Sequence, residues 1–330
     1  MLVRVTNMIG VDLSRYRFDF DLTLAVLFLN AKGRVLGRFG GRDAGDASAR
    51  VPIEALERAM ERALEVHERE RDLDPRPAVG ERSTVMDGPA AEAFWSKRPG
   101  KRPECVHCHT VYEIERQPGR DAGTWDRREA FVYPLPENVG LSIDPADGAR
   151  IEGVRPDSPA SRAGLAPGDV LKSMGDQPIL SQADVQWVLD RAVREDSIEV
   201  ACDRAGELRT TRLEVSGDWK ATDISWRGSM WAIRPNPGLH AVALPPGRRR
   251  EIGIPDGRMA FEVRWVPEGP SRRAGIRNGD VLVAVGGDRT DRPWNRLHFE
   301  IRFQYRPGDE VPFTVVRDGR EIETIVHLED

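Results

Sequence analysis

Short apolar runs separated by turn residues dominate the first seventy positions. Val3 to Thr6 alternates as a strand does, and Leu22 to Leu29 reads as a buried strand. Asn30-Ala31-Lys32-Gly33 then turns the chain into Arg34 to Phe39, which predicts a hairpin. From Pro52 the spacing becomes helical, with Ile53, Leu56, Met60, Ala63 and Leu64 on one face, and the pattern fades in the charged run from Glu68 to Asp72. Residues 71–130 scatter Pro75, Pro77, Pro89, Pro99, Pro103 and Pro118 among charges and glycines, the pattern of a connector. Two apolar patches in it, residues 90–95 and 111–114, predict short docked helices.

Beyond residue 130 the pattern repeats. Pro159-Ala160-Ser161-Arg162-Ala163-Gly164-Leu165, followed by Gly168-Asp169-Val170-Leu171, recurs as Pro270-Ser271-Arg272-Arg273-Ala274-Gly275-Ile276 and Gly279-Asp280-Val281-Leu282, at an offset of 111 residues. A short helix before Gly164 ends where a residue free to take positive φ is favoured, and Gly168-Asp169 turns into a buried strand, Val170 to Met174. Each copy is followed by a helix candidate, Gln182 to Arg191 and Trp294 to Phe303. A hairpin follows each helix, turning at Arg204-Ala205-Gly206 in the first copy and at Asp318-Gly319 in the second.

The run Pro-x-x-x-Ala-Gly-apolar-x-x-Gly-Asp-apolar-Leu resembles the signature of bacterial PDZ domains, and the resemblance covers residues 131–216 and 250–330. It implies two PDZ-like β-barrel or sandwich domains whose partners are protein C-termini or extended peptides. In that family the guest adds as a strand between a sheet edge and the second helix, and backbone N–H groups of a glycine loop hold its carboxylate. Val139-Gly140-Leu141-Ser142-Ile143 matches the loop in the first copy, and Val185, Val188 and Leu189 would form the far wall, positions that suit a core equally well. In the second copy Ile254-Pro255-Asp256-Gly257-Arg258-Met259-Ala260-Phe261 departs from the pattern, because proline removes a donor. That copy is expected to bind internal segments, to dock on the first, or to act as a scaffold.

The order strand, connecting segment, hairpin and amphipathic helix in residues 1–70 resembles the second half of a thioredoxin-like domain. The fold class expected is therefore multidomain α+β: a partial thioredoxin-like α/β unit (1–70), a Pro-rich connector (71–130), PDZ domain 1 (131–216), a Trp- and Pro-rich linker (217–249) and PDZ domain 2 (250–330). Trp219, Trp226, Met230 and Trp231 in the linker read as a clamp packing one domain on the next.

Cys105-Val106-His107-Cys108-His109 has the Cys-x-x-Cys-His spacing of c-type haem attachment. Two thiols would form the thioethers of haem c and His109 would be an axial ligand, with Met86, His240 or water as the sixth. The same residues suit a redox dithiol of Cys105 and Cys108, a zinc or copper site including His107 or His109, or no centre at all. Cys202, in a predicted strand, reads as a small buried residue. The order of parts resembles bacterial proteins that place a thioredoxin-like part and Cys-x-x-Cys-His before PDZ modules, which implies an extracytoplasmic redox role.

Composition removes some classes. The formal net charge of -5 with interleaved signs gives no electrostatic case for nucleic acid, and Arg248-Arg249-Arg250 reads as a solvated loop. The longest apolar run is far shorter than the about 20 residues a membrane helix needs. The start of the chain reads as a strand, which implies the cytoplasm, or the periplasm if the first codon lies downstream of the true one. Residues 1–130 show neither Gly-x-Ser-x-Gly nor His-Glu-x-x-His, so a protease is discounted. The function expected is a peptide-binding PDZ protein with a redox or metal centre at Cys105 to His109; the alternative is a thiol-disulfide oxidoreductase that selects clients through its PDZ modules.

Overall fold

The computed structural model describes residues 1–75, 82–98, 100 and 103–329, so Pro77 and Pro99 of the connector lie outside the described residues. The chain forms two compact units, residues 1–222 with 227–229 and residues 223–226 with 230–330.

The first unit opens without the strand expected at Val3 to Thr6: Val3 and Val5 are exposed and pair with nothing regular. The hairpin is present as β1 (Ala25–Leu29) and β2 (Val35–Gly40), followed by α1 (Ile53–Glu70). The packed face of α1 is Ala55, Ala59, Ala63 and Val66, while Ile53, Met60 and Leu64 face solvent. Small alanines let the helix approach Leu36 and Phe39 of β2, and Leu180 from the following module completes that core. The sheet stops at two strands among the described residues, and the thioredoxin-like reading finds no counterpart in it.

The second half of the expected connector is folded. Helices α2 (Pro89–Ser96) and α3 (Thr110–Asp121) fall on the two apolar patches and bury Phe94, Val111 and Ile114 against Met8, Leu13 and Phe20. Beneath them Arg227 donates to Asp19 at 2.6 Å, Asp21 at 3.3 Å and the Val132 carbonyl at 2.9 Å, and Ser229 donates to Asp21 through both N–H and hydroxyl. All four of these side chains are buried.

The first repeat follows in the same unit. A 3-10 turn (Pro136–Val139) leads to β3 (Leu141–Ile143), β4 (Ile151–Val154), α4 (Pro159–Arg162), β5 (Val170–Met174), β6 (Gln177–Pro178), α5 (Gln182–Arg191), β7 (Asp196–Arg204) and β8 (Glu207–Val215). The strands order as β3-β4 and β6-β5-β7-β8, around a core that includes Val139, Leu141, Ile151, Leu171 and Leu213. Cys202 is buried in β7, and Trp219 packs against this core.

The second unit holds β9 (His240–Ala243), α6 (Pro246–Glu251), β10 (Phe261–Trp265), α7 (Pro270–Arg273), β11 (Val281–Val285), α8 (Trp294–Gln304), β12 (Glu310–Arg317) and β13 (Arg320–His327), with sheet order β13-β12-β11-β10-β9. Strand β9 lies within the stretch expected as a linker. The triple-arginine run is not a loop but half of α6, and Arg249 is buried, donating to the Leu244 and Arg258 carbonyls and to Asp291. The Trp231 ring lies 4.9 Å from that of His298 within this unit, tilted by 51°.

The repeated Gly-Asp is explained by one clamp used twice. Asp169 accepts the Ala166 N–H and two bonds from Arg204 at 2.6 and 2.7 Å, and Arg204 also donates to the Gly164 carbonyl. Asp280 does the same with the Arg277 N–H and Arg317, which donates to the Gly275 carbonyl. The arginine lies at the end of the hairpin strand whose turn has positive φ at both central residues, Ala205-Gly206 and Asp318-Gly319. Because Asp169 is wholly buried, Asp169→Ala should destabilise the first unit by about 2–4 kcal/mol, read as a lowered urea midpoint at unchanged m-value.

Candidate functional site

In the first module the loop and strand proposed from sequence come together beside α5. Gly140 has φ +87°, and a Cβ there would sit 2.2 Å from both the Cβ and the Oγ of Ser158, so only glycine fits. Its N–H donates to the Glu137 carbonyl at 3.1 Å and its carbonyl accepts from Arg155 N–H at 2.8 Å. Val139, Leu141 and Ile143 are buried and Ser142 is half-buried. Strand β4 covers one edge of β3, and among the described residues no strand covers the other. Val185 and Leu189 are buried in the module core, and Val188 packs against it half-buried.

The polar side of α5 is held by residues the sequence did not point to. Gln182 accepts from Arg50 at 2.9 Å, and Gln186 donates to the Tyr133 carbonyl at 3.1 Å. Asp184 accepts the N–H groups of Arg38 and Leu180 and the Gln177 amide, while Ser181 Oγ donates to the Arg38 carbonyl. The Arg38 guanidinium lies 3.6 Å from the centroid of the Trp187 ring. Strand β2 is thereby fastened along α5.

Burial pushes the Asp184 carboxyl up from its ordinary 3.8 to about 7, against the pull of Arg38 and the N–H donors. A raised carboxyl pKa means the folded chain holds a proton that the unfolded chain releases. Stability from this group is therefore full below 3.8 and falls as the pH rises toward about 7. Asp184→Asn should flatten the profile, and the wild-type minus variant difference in unfolding free energy should slope by up to about 1.4 kcal/mol per pH unit in that window.

The second module carries an equivalent loop that the sequence reading missed. Gly238 has φ +71°, and a Cβ there would meet Pro270, the residue one after Ser158 in repeat register, at 3.3 Å. Ser271 donates its N–H and hydroxyl to the Pro237 carbonyl, and β9 follows as the edge strand of its sheet. The loop escaped notice because residues 244–260, including α6, separate β9 from β10, where only residues 144–150 separate β3 from β4. The insertion breaks the constant offset, so the stretch in register with the first loop is displaced, and Ile254 to Phe261 forms the end of the insertion and the start of β10.

The Cys105 to His109 segment is a turn leading into α3. All three cysteines are free. Burial pushes the Cys108 thiol up, with Cys105 adding to the effect, which is opposite to the lowered pKa of a reactive dithiol. The His107 and His109 rings stack with centroids 5.8 Å apart. Among the described residues no three His, Cys, Asp or Glu side chains gather as metal ligands, and His240 lies in β9 of the second unit.

Comparison with known proteins bears on these features. Residues 135–215 match the PDZ domain family. This segment is a PDZ domain. A probable periplasmic serine endoprotease, DegP-like, from Halomonas elongata is 32% identical over 201 residues, covering 60% of this chain and 41% of the relative. The periplasmic pH-dependent serine endoprotease DegQ of Escherichia coli is 28% identical over 153 residues, 46% of this chain and 31% of DegQ. The chain thus spans less than half the length of these relatives. Among solved structures, the HtrA3 PDZ domain bound to a phage-derived ligand matches at 23% identity and TM-score 0.24, over 29% of this chain and 86% of that one. The HtrA-type protease AlgW with a tripeptide matches at 16% identity and TM-score 0.27, over 49% and 58%. The redox, haem and metal-binding function expected from Cys105 to His109, with its oxidoreductase alternative, is overturned: the relatives are serine endoproteases.

Proposed function

We propose that this chain captures extended polypeptide segments and C-termini on the open edge of β3, as the recognition part of a proteolytic system outside the cytoplasm. The observation that carries the reading is a PDZ domain whose first strand has one uncovered edge directly after a glycine of positive φ. Main-chain N–H and C=O groups along such an edge offer affinity to any extended guest, and the flanking apolar positions sort guests by side chain. The relatives, periplasmic serine endoproteases, support the setting. A seryl protease needs a base within hydrogen-bond reach of its nucleophile, whereas the hydroxyls of Ser14, Ser197 and Ser229 are bonded to the carboxylates of Asp12, Glu214 and Asp21. Bond cleavage is accordingly assigned to another polypeptide or segment.

Fluorescence anisotropy with labelled decapeptide pools should show saturable binding to the full chain, and purified chain should leave denatured casein uncut. Pools that never saturate would remove the capture role, and casein cleavage by the chain itself would move catalysis onto it.

A further inference from the structure

Arg50, in the segment joining β2 to α1, and Arg62 of α1 each bond to both walls of the groove beside β3. Arg50 donates to Glu137, in the turn that leads into Gly140 and β3, at 2.7 Å, and to Gln182, the first residue of α5, at 2.9 Å. Asp43 fixes it from behind at 2.6 Å. Arg62 donates to the carbonyl of Asp147, in the turn joining β3 to β4, at 2.8 Å, and to the carbonyl of Leu180, just before α5, at 3.1 Å. A second bond from Arg62 reaches the Asp147 carboxylate at 2.5 Å, and Arg58 adds a pair to it at 3.2 Å. The sheet side and the helix side of the groove are thus tied at two points by side chains from outside residues 135–215. Gln182 is buried under the Arg50 tie, so the two walls are held at a fixed spacing while the ties stand.

We propose that the hairpin, residues 41–52 and α1 form an intramolecular clamp that closes the first PDZ groove, with Arg50 and Arg62 as its two fasteners. The inference rests on the peptide-capture reading and names the regulation of that same site. Only the open fraction of molecules binds a guest, so the apparent Kd is the intrinsic one divided by that fraction. Each fastener is a charge-assisted bond, and the energy scale of such partly exposed pairs makes a several-fold change per residue the reasonable expectation. The clamp also predicts which partners open it: an acidic surface that takes Arg50 or Arg62 from Glu137 or Asp147 releases the groove.

The test is anisotropy of the labelled decapeptide pools on the full chain. Arg50→Ala with Arg62→Ala together should tighten binding about tenfold over wild type, with each single variant in between. Glu137→Gln, which weakens the Arg50 tie from the other wall and sits on a partly exposed side chain, should tighten it in the same direction. Hydrogen exchange should show faster labelling of residues 41–50 in the variants without loss of protection in β5 and β7. Unchanged or weaker binding in the double variant, with that protection intact, would overturn the clamp. Failure of both wild type and variants to bind any pool would instead sink the capture reading itself.

Discussion

Arg227→Met should destabilise the first unit by about 3–5 kcal/mol, the range for removing one partner of a buried ion pair. Arg227 is buried between Asp19 and Asp21, and no solvent reaches the group to take its place. Desolvation opposes its charge, and the two carboxylates outweigh that, so the guanidinium is held above its usual range. Burial pushes the Asp19 carboxyl up, with Arg227 as the largest opposing influence. Removing the cation leaves two facing carboxylates, to which Tyr112 and Ser229 supply hydroxyl donors and buried Arg116 the remaining cation acting on Asp21. Chemical denaturation followed by tryptophan fluorescence measures the loss. Adding Asp19→Asn and Asp21→Asn to the same chain should recover most of it, because the penalty comes from the uncompensated charges rather than from the missing side-chain volume.

Gly140→Val should abolish peptide capture by the first module and lower its stability by about 2–4 kcal/mol. Two costs add: a β-branched residue at φ +87° is strained by about 1–2 kcal/mol, and a Cβ 2.2 Å from Ser158 forces the loop or α4 to move. Ser158 is the N-cap of α4, accepting the Ser161 N–H and donating to the Arg155 carbonyl, so the clash is with a fixed group rather than a flexible tip. Gly164→Ala is the control: φ is +73° but nothing lies within 4 Å, so it should cost only the conformational term of about 1 kcal/mol and leave binding intact. Anisotropy and thermal unfolding on the two variants separate the effects.

Much of the PDZ architecture was legible because it rests on local rules. Gly164 and Gly275 end short helices with positive φ, and Gly206 and Asp318-Gly319 suit the positive φ of the hairpin turns, while Ala205 takes φ +55° without such a preference. The first β3 loop was equally readable, since Val139-Gly140-Leu141 stands close to its signature. The rest was set by contacts between residues far apart in sequence. Arg50 meets Glu137 and Gln182, Arg62 meets Asp147, and Arg227 meets Asp19, and no periodicity encodes such pairs. The face of α1 was misread because a pattern of large apolar residues was weighed above alanines, whereas the closely packed site required the alanines. Val3 to Thr6 alternated but had no partner strand, and alternation alone does not make one. Around Cys-x-x-Cys-His no group of three His, Cys, Asp or Glu ligands gathers among the described residues, and Gly238 was hidden by an insertion that shifted the repeat.

Amide hydrogen exchange at Leu141, Ser142 and Ile143, with and without a saturating bound decapeptide pool, decides whether β3 is where a guest chain pairs. Slower exchange along β3 on binding, with β7 and β12 unaffected, is the result expected. Full occupancy of the peptide with no change at β3 would show that capture, if it occurs, happens elsewhere on the chain.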